Sequence, residues 1–254
     1  MRSIAKLMKD WQFTGPNGVT TAVELPHTWN ATDGQDGGND YWRGCCTYCT
    51  RFAAPVYDPA QQQVWLQFEG VNASAAVLLN GQQLCTHDGG YSTFRAEVPE
   101  LLQTENQLTV RVDNSVNDRV YPQKADFTFY GGIYRDVSLL VVNKNHIALR
   151  HFGDTGVKIT PALQENSADI RVETLVEGSG TVTVELLDAE GRTVAKGEGE
   201  NTFLHLDAPH LWNGVKDPYL YTCIVRLVKD GQPVDEVTTR VGLRSFSVDA
   251  KKGF

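Results

Sequence analysis

Hydrophobic alternation with a period of two runs through most of the chain and restricts its fold more than any other feature. Val64-Trp65-Leu66-Gln67-Phe68, Leu108-Thr109-Val110-Arg111-Val112 and Thr181-Val182-Thr183-Val184-Glu185-Leu186 each put apolar side chains on one face of an extended segment. Further strand-like runs are Ala75 to Leu79, Tyr134 to Val142, Ile170 to Val176, Tyr219 to Val228 and Val237 to Val241. Asn80-Gly81, Asp188-Ala189-Glu190-Gly191 and Lys229-Asp230-Gly231 separate such runs. These residue types enter the left-handed conformations that tight hairpins demand. Helical signal is confined to Ile4–Met8 and Pro99–Leu102. Many short strands without intervening helices predict packed antiparallel sheets, an all-β protein.

A chain of 254 residues has room for two such domains. A polar break, Asn143-Lys144-Asn145-His146, divides the run ending at Val142 from the one starting at Ile147. Trp11, Trp29, Trp42 and Trp65 precede it, as do the longest loops, and only Trp212 follows. The second part holds about seven strands over ~100 residues, the size of an immunoglobulin-like sandwich, without the Cys…Trp…Cys pattern of antibody domains. Two β-sandwiches in tandem are expected.

Charge and cysteine content exclude several classes. With 23 Lys+Arg against 31 Asp+Glu the net charge is −8, which argues against a nucleic-acid partner. No run approaches the ~20 apolar residues of a membrane helix, so no membrane partner is expected. Charges in Met1–Asp10 interrupt the apolar stretch that a secretory signal would need, and a cytoplasmic protein is expected unless a leader precedes this sequence. Cys46-Thr47-Tyr48-Cys49 matches the C-x-x-C of redox and zinc sites, but its surroundings are strand-like. Positions three apart on a strand face opposite sides, and no second ligand pair accompanies them. Free, reduced thiols are expected at Cys45, Cys46, Cys49, Cys85 and Cys223, with no metal or cofactor in this chain.

Two loops in the first part exceed simple connectors. Thr28–Trp42 carries the acidic, glycine-rich stretch from Asp33 to Asp40. It reads as a solvated loop or a calcium site, but not an EF-hand, because the twelfth position counted from Asp33 is Gly44 and not glutamate. Val116–Gly132 carries Tyr121, Asp126, Phe127, Phe129, Tyr130 and Gly131-Gly132, a composition suited to carbohydrate, with rings to stack on sugar faces and a carboxylate to accept hydroxyls. The strand-borne Glu24, Glu69, Glu97, Glu173 and Glu185 show no sign of converging, and the six histidines lack metal spacing. Arg135 and Asp136 read as a structural ion pair or a domain-interface contact.

At these loops the sequence resembles the N-terminal half of family two of the glycoside hydrolases, the β-galactosidases, β-glucuronidases and β-mannosidases. The resemblance rests on Asp10-Trp-Gln-Phe13, Glu24-Leu-Pro-His-Thr-Trp29, Asp40-Tyr-Trp-Arg-Gly44, Arg51-Phe52, Phe68-Glu-Gly-Val71, Val77-Leu-Leu-Asn-Gly81 and His87-Asp-Gly-Gly-Tyr91. The most specific piece is Asp126-Phe-Thr-Phe-Tyr-Gly-Gly-Ile-Tyr-Arg-Asp-Val137. Pro209-His-Leu-Trp212, Asp217-Pro-Tyr-Leu-Tyr221 and Val241-Gly-Leu-Arg-Ser-Phe246 match the second domain.

The resemblance implies a jelly-roll sugar-binding domain over residues 1–144, an immunoglobulin-like sandwich over 145–246, and at 247–254 the start of a linker to a (β/α)₈ barrel. That absent barrel would carry both catalytic glutamates of a retaining β-glycosidase, and any metal it uses is not readable from this part. The expectation is therefore a non-catalytic fragment, inactive alone, of an enzyme that is often a homo-oligomer. The Gly-Gly-Ile-Tyr-Arg-Asp-Val form of the key loop favours a β-galactoside substrate over a β-glucuronide or β-mannoside. Asp126 is the one substrate-binding residue the resemblance places here, and Gly131-Gly132 would let its loop turn tightly. A free-standing carbohydrate-binding or scaffolding module and a cell-surface adhesion sandwich are the competing readings.

Overall fold

Asn80 and Gly81 have φ of 50° and 84°, and Asp230 and Gly231 have 51° and 75°. Both pairs have the positive φ of type I′ turns, whose twist matches that of the strands they join. One turn links Ser74–Leu79 to Gln82–Asp88, the other Tyr221–Lys229 to Gln232–Val241. The computed structural model describes residues 1–32, 41–98, 102–122, 128–150 and 152–253, and every regular element among them is a strand. Two compact units result, Ser3–Val142 and a second made of Met1–Arg2 with Asn143–Phe254.

In the first unit a four-stranded sheet runs in the order Ser3–Lys6, Val137–Asn143, Gln62–Phe68, Phe94–Val98. A six-stranded sheet runs Thr20–Val23, Trp11–Thr14, Cys45–Ala53, Glu105–Asp113, Ser74–Leu79, Gln82–Asp88. Leu66, Phe68, Phe94 and Leu139 from the first meet Tyr48, Val77, Leu108 and Val110 from the second in a single apolar core. Full burial of such side chains stabilises by roughly 1.5–3 kcal/mol each. Along Cys45–Ala53 the inward positions are Cys46, Tyr48, Thr50 and Phe52, all buried. Thr50 is tolerated inside because its hydroxyl donates to the Asp10 carbonyl at 3.1 Å. Cys46 faces the core and Cys49 the opposite side, so the C-x-x-C pair is split as strand geometry requires, and all five cysteines are free.

The helical expectation at Ile4–Met8 is corrected. Ser3–Lys6 is an edge strand paired with Ser138–Val141, from Ser3 opposite Val141 to Lys6 opposite Ser138. All four of its side chains are exposed, so pairing with a strand 132 to 138 residues further along the chain, and not any periodicity of its own, determines its conformation. Pro99–Leu102 falls largely outside the described residues.

The second unit is an immunoglobulin-like sandwich. One sheet orders Val157–Leu163, Ser167–Thr174, Asn201–Asp207 and the other Thr193–Glu198, Thr181–Leu187, Tyr221–Lys229, Gln232–Val241. Ile170, Val172 and Leu204 pack against Val184, Leu186, Val225 and Leu227 between them. Arg2 joins this unit through Asp235, whose side chain is 0 % exposed. Arg2 Nε and Nη2 donate to the two carboxylate oxygens at 2.7 and 2.6 Å, and the Ile147 N–H donates to Oδ2 at 2.8 Å. The charge is thus buried with its partners in place.

Candidate functional site

In the first unit a three-stranded miniature sheet gathers chain segments that border a cleft. Gly132–Ile133 pairs with His27–Thr28 on one side and Val71–Asn72 on the other. The paired glycines allow this close approach. A Cβ on Gly131 would overlap the Trp29 ring, and Gly132 has φ of 144° with the His27 carbonyl against it.

Three asparagines bind the surrounding loops together. Asn30 Oδ1 accepts from the Gly131 N–H at 2.7 Å and from Asn114 Nδ2 at 3.2 Å, and Asn30 Nδ2 donates to the Trp42 carbonyl at 2.8 Å. Asn114 Nδ2 also donates to the Phe129 carbonyl at 3.1 Å, and its Oδ1 accepts from the Gly44 N–H at 2.8 Å. Asn72 Nδ2 donates to the Tyr130 carbonyl at 2.7 Å. All three are buried, so their amides satisfy backbone groups that water does not reach.

This frame opens on a pocket of about 240 Å³ lined by Thr28, Asn72, Tyr91, Tyr130 and Tyr134. The Tyr91 and Tyr134 rings lie 6.4 Å apart at 62°. The Tyr134 hydroxyl donates to the Gly90 carbonyl, and the Arg135 guanidinium lies 5.6 Å from the Tyr134 ring centroid. Burial pushes the Tyr134 phenol above its ordinary range. An adjoining crevice shares Asn72 and Tyr91 and is bounded by Arg43, Tyr121, Pro122 and Phe129.

Asp126 lies outside the described residues, as do Asp33–Asp40 of the other long loop. Tyr121 and Phe129, which border the crevice, flank the segment that contains Asp126. The pocket residues Thr28, Asn72, Tyr91, Tyr130 and Tyr134 were not singled out as a set by the sequence. Tyr91, Tyr130 and Tyr134 do fall inside the quoted motifs, which was the available signal.

Other candidates serve structure. Asp136 pairs with Lys6 at 2.6 Å, whereas Arg135 Nη1 donates to the Tyr91 carbonyl at 3.1 Å, so the two neighbours do not pair with each other as expected. Glu185 binds the Thr193 hydroxyl at 2.6 Å, Lys196 at 3.1 Å and Arg226 at 3.3 Å, and Glu173 binds Arg171 at 2.9 Å. His27 Nδ1 bonds the Tyr48 hydroxyl at 2.7 Å, and burial lowers its pKa. His210 pairs with Asp217 at 2.7 Å and stacks on Tyr219 with centroids 3.9 Å apart. No group of three or more metal-ligating side chains occurs among the described residues.

The described residues thus form two all-β units in tandem, the first carrying a tyrosine-lined pocket. Residues 38–162 match the glycosyl hydrolase 2 galactose-binding domain-like model, and residues 145–244 match glycosyl hydrolases family 2. The chain belongs to glycosyl hydrolase family 2 and comprises its N-terminal sugar-binding-type and immunoglobulin-like domains. It is 34% identical to a β-glucuronidase of Bacteroides fragilis, over 98% of this chain and 39% of that protein. It is 32% identical to the β-galactosidase BoGH2A of Bacteroides ovatus, over 96% of this chain and 32% of that protein. Among solved structures, the FMN-binding β-glucuronidase from Facaelibacterium prausnitzii L2-6 superposes with a TM-score of 0.92 at 35% identity, covering 98% of this chain and 40% of that one. The chain therefore spans well under half the length of these relatives.

Proposed function

We propose that this chain is the non-catalytic N-terminal part of a retaining β-glycosidase, and that its first domain forms one wall of the sugar site. The observation that carries this reading is the unbroken run of two family-two domains across residues 38–244, in relatives about two and a half to three times longer. Retaining hydrolysis needs two carboxyl groups about 5–5.5 Å apart. Among the described residues no carboxylate lines the pocket, and this reading assigns both to a barrel outside this chain. The same length ratio weighs against a free-standing module.

A β-glucuronide is the first substrate to assay, in place of the β-galactoside that the loop form favoured. Its support is the 34% identical Bacteroides fragilis protein and the 35% identical solved structure, both β-glucuronidases. The β-galactoside remains the second reading because the Bacteroides ovatus relative, at 32%, is a β-galactosidase. Asp126 contacts a sugar hydroxyl in this reading, since its flanking residues border the cleft and a carboxylate accepts two such bonds. The free thiols support a cytoplasmic, reducing location.

Steady-state kinetics of the intact protein on 4-nitrophenyl β-glucuronide, β-galactoside and β-mannoside test the substrate. The glucuronide should have the highest kcat/KM, and a higher value for either other sugar would overturn that choice. Asp126→Ala should lower kcat/KM by ~10-fold or more at unchanged Tm. Unchanged kinetics would return Asp126 to a structural role.

A further inference from the structure

We propose that the pocket formed by Tyr91, Tyr130 and Tyr134 binds a flat aromatic ring, and is not built to grip sugar hydroxyls. Its size comes first: cavities of about 150 Å³ already admit benzene, and this one is about 240 Å³. Its lining comes second: it is dominated by three tyrosine rings, and three of its six side-chain polar atoms already donate to backbone carbonyls. Thr28 Oγ1 donates to the Gly131 carbonyl at 2.8 Å, Asn72 Nδ2 to the Tyr130 carbonyl at 2.7 Å, and the Tyr134 hydroxyl to the Gly90 carbonyl. A pyranose buried here would exchange its water for few hydrogen bonds, a cost an aryl ring does not carry.

The walls are also held in advance. The Arg135 side chain bridges two of them, donating to the Tyr91 carbonyl at 3.1 Å while lying over the Tyr134 ring at 5.6 Å. Gly90 leaves room for the Asn72 carboxamide, which any Cβ at that position would overlap. A ring entering this site meets aromatic faces and edges already placed for offset or edge-on stacking. Identifying the bound aryl group with the leaving group of an aryl β-glycoside rests on the functional reading above; the binding itself does not.

The test titrates the 254-residue chain with 4-nitrophenol and, separately, methyl β-D-glucopyranoside, followed by saturation-transfer NMR. A ligand of about ten heavy atoms should give a Kd on the order of 1 mM for 4-nitrophenol. The methyl glycoside should bind at least roughly 10-fold more weakly, because its hydroxyls find few partners. Tyr91→Ala and Tyr130→Ala should each weaken 4-nitrophenol by roughly 5-fold or more. Tyr91→Phe, which keeps the ring, and Phe203→Ala, on the second unit, should leave it unchanged. Tyr91 and Tyr130 are 58% and 42% exposed, so truncation spares the core, and circular dichroism melts would verify folding. Equal or tighter binding of the methyl glycoside, no saturation by about 20 mM 4-nitrophenol, or indifference to both alanine variants would overturn the assignment. If the intact protein hydrolyses no β-glycoside while the chain still binds 4-nitrophenol through these tyrosines, the functional reading fails and the pocket assignment stands.

Discussion

Asn114 donates through Nδ2 to Asn30 Oδ1 at 3.2 Å, and this contact between two fully buried side chains joins loops 84 residues apart. Around it the chain satisfies the Gly44 and Gly131 N–H groups and the Trp42 and Phe129 carbonyls. Asn114→Leu should therefore cost about 2–4 kcal/mol, since each orphaned buried group costs ~1–3 kcal/mol. Urea unfolding of the variant should show the loss as a lower midpoint at an unchanged slope.

The Arg2–Asp235 pair makes a separate prediction about the second unit. Arg2→Ala leaves a carboxylate at 0 % exposure without its cation, and breaking such a pair costs about 3–5 kcal/mol. The double variant Arg2→Met with Asp235→Leu should recover part of that loss, although the Ile147 N–H then loses its acceptor. Thermal melts of the two variants, compared side by side, measure the difference.

Acid should weaken the second sandwich through Glu185. The Thr193 hydroxyl, then Lys196 and Arg226, hold this carboxyl down to about 2. A depressed carboxylate pKa contributes stability above its unfolded value, near 4.5, and that contribution is lost as pH falls toward about 2. The Glu185 side chain is partly exposed, at 23 %, and its partners Lys196 and Arg226 reach solvent, so screening limits the effect to ~1 kcal/mol. Glu185→Gln should lower stability by that amount at pH 7, and the difference from the parent should vanish near pH 2.

Thiol reactivity should follow burial. Cys46 and Cys223 are buried, and desolvation pushes them up to about 12 and about 11, whereas Cys45 is exposed. In native protein at pH 7.5, Ellman's reagent should leave Cys46 and Cys223 untouched and react first at Cys45, with all five reacting after denaturation. Fewer than five in denatured, non-reduced protein would mean that disulfides form.

Much of the fold is legible because sheet physics is written locally. Asn80-Gly81 and Asp230-Gly231 state their turns, and the alternation of Cys46, Tyr48, Thr50 and Phe52 states which face is buried. Legibility fails where a partner distant in sequence decides. Ser3–Lys6 is a strand only because Ser138–Val141 accepts it, and Asp136 finds Lys6 instead of the adjacent Arg135. Val64, Trp65 and Leu66 are buried in succession, so this strand is covered on both faces and its alternation understates its burial. The pocket is harder still. Tyr91, Tyr130 and Tyr134 are visible as aromatic loop residues, but Asn30, Asn72 and Asn114 bring their segments together, and isolated asparagines carry no pattern.

Hydrolysis by two forms of the protein addresses the central claim most directly. The 254-residue chain and the intact protein would be purified from a host lacking β-glycosidases and assayed in parallel on 4-nitrophenyl β-glucuronide and β-galactoside. The account predicts turnover by the intact protein on at least one of them and none by the chain, because the account places the carboxylate pair outside it. Turnover by the chain alone, or inactivity of the intact protein on both, would contradict it.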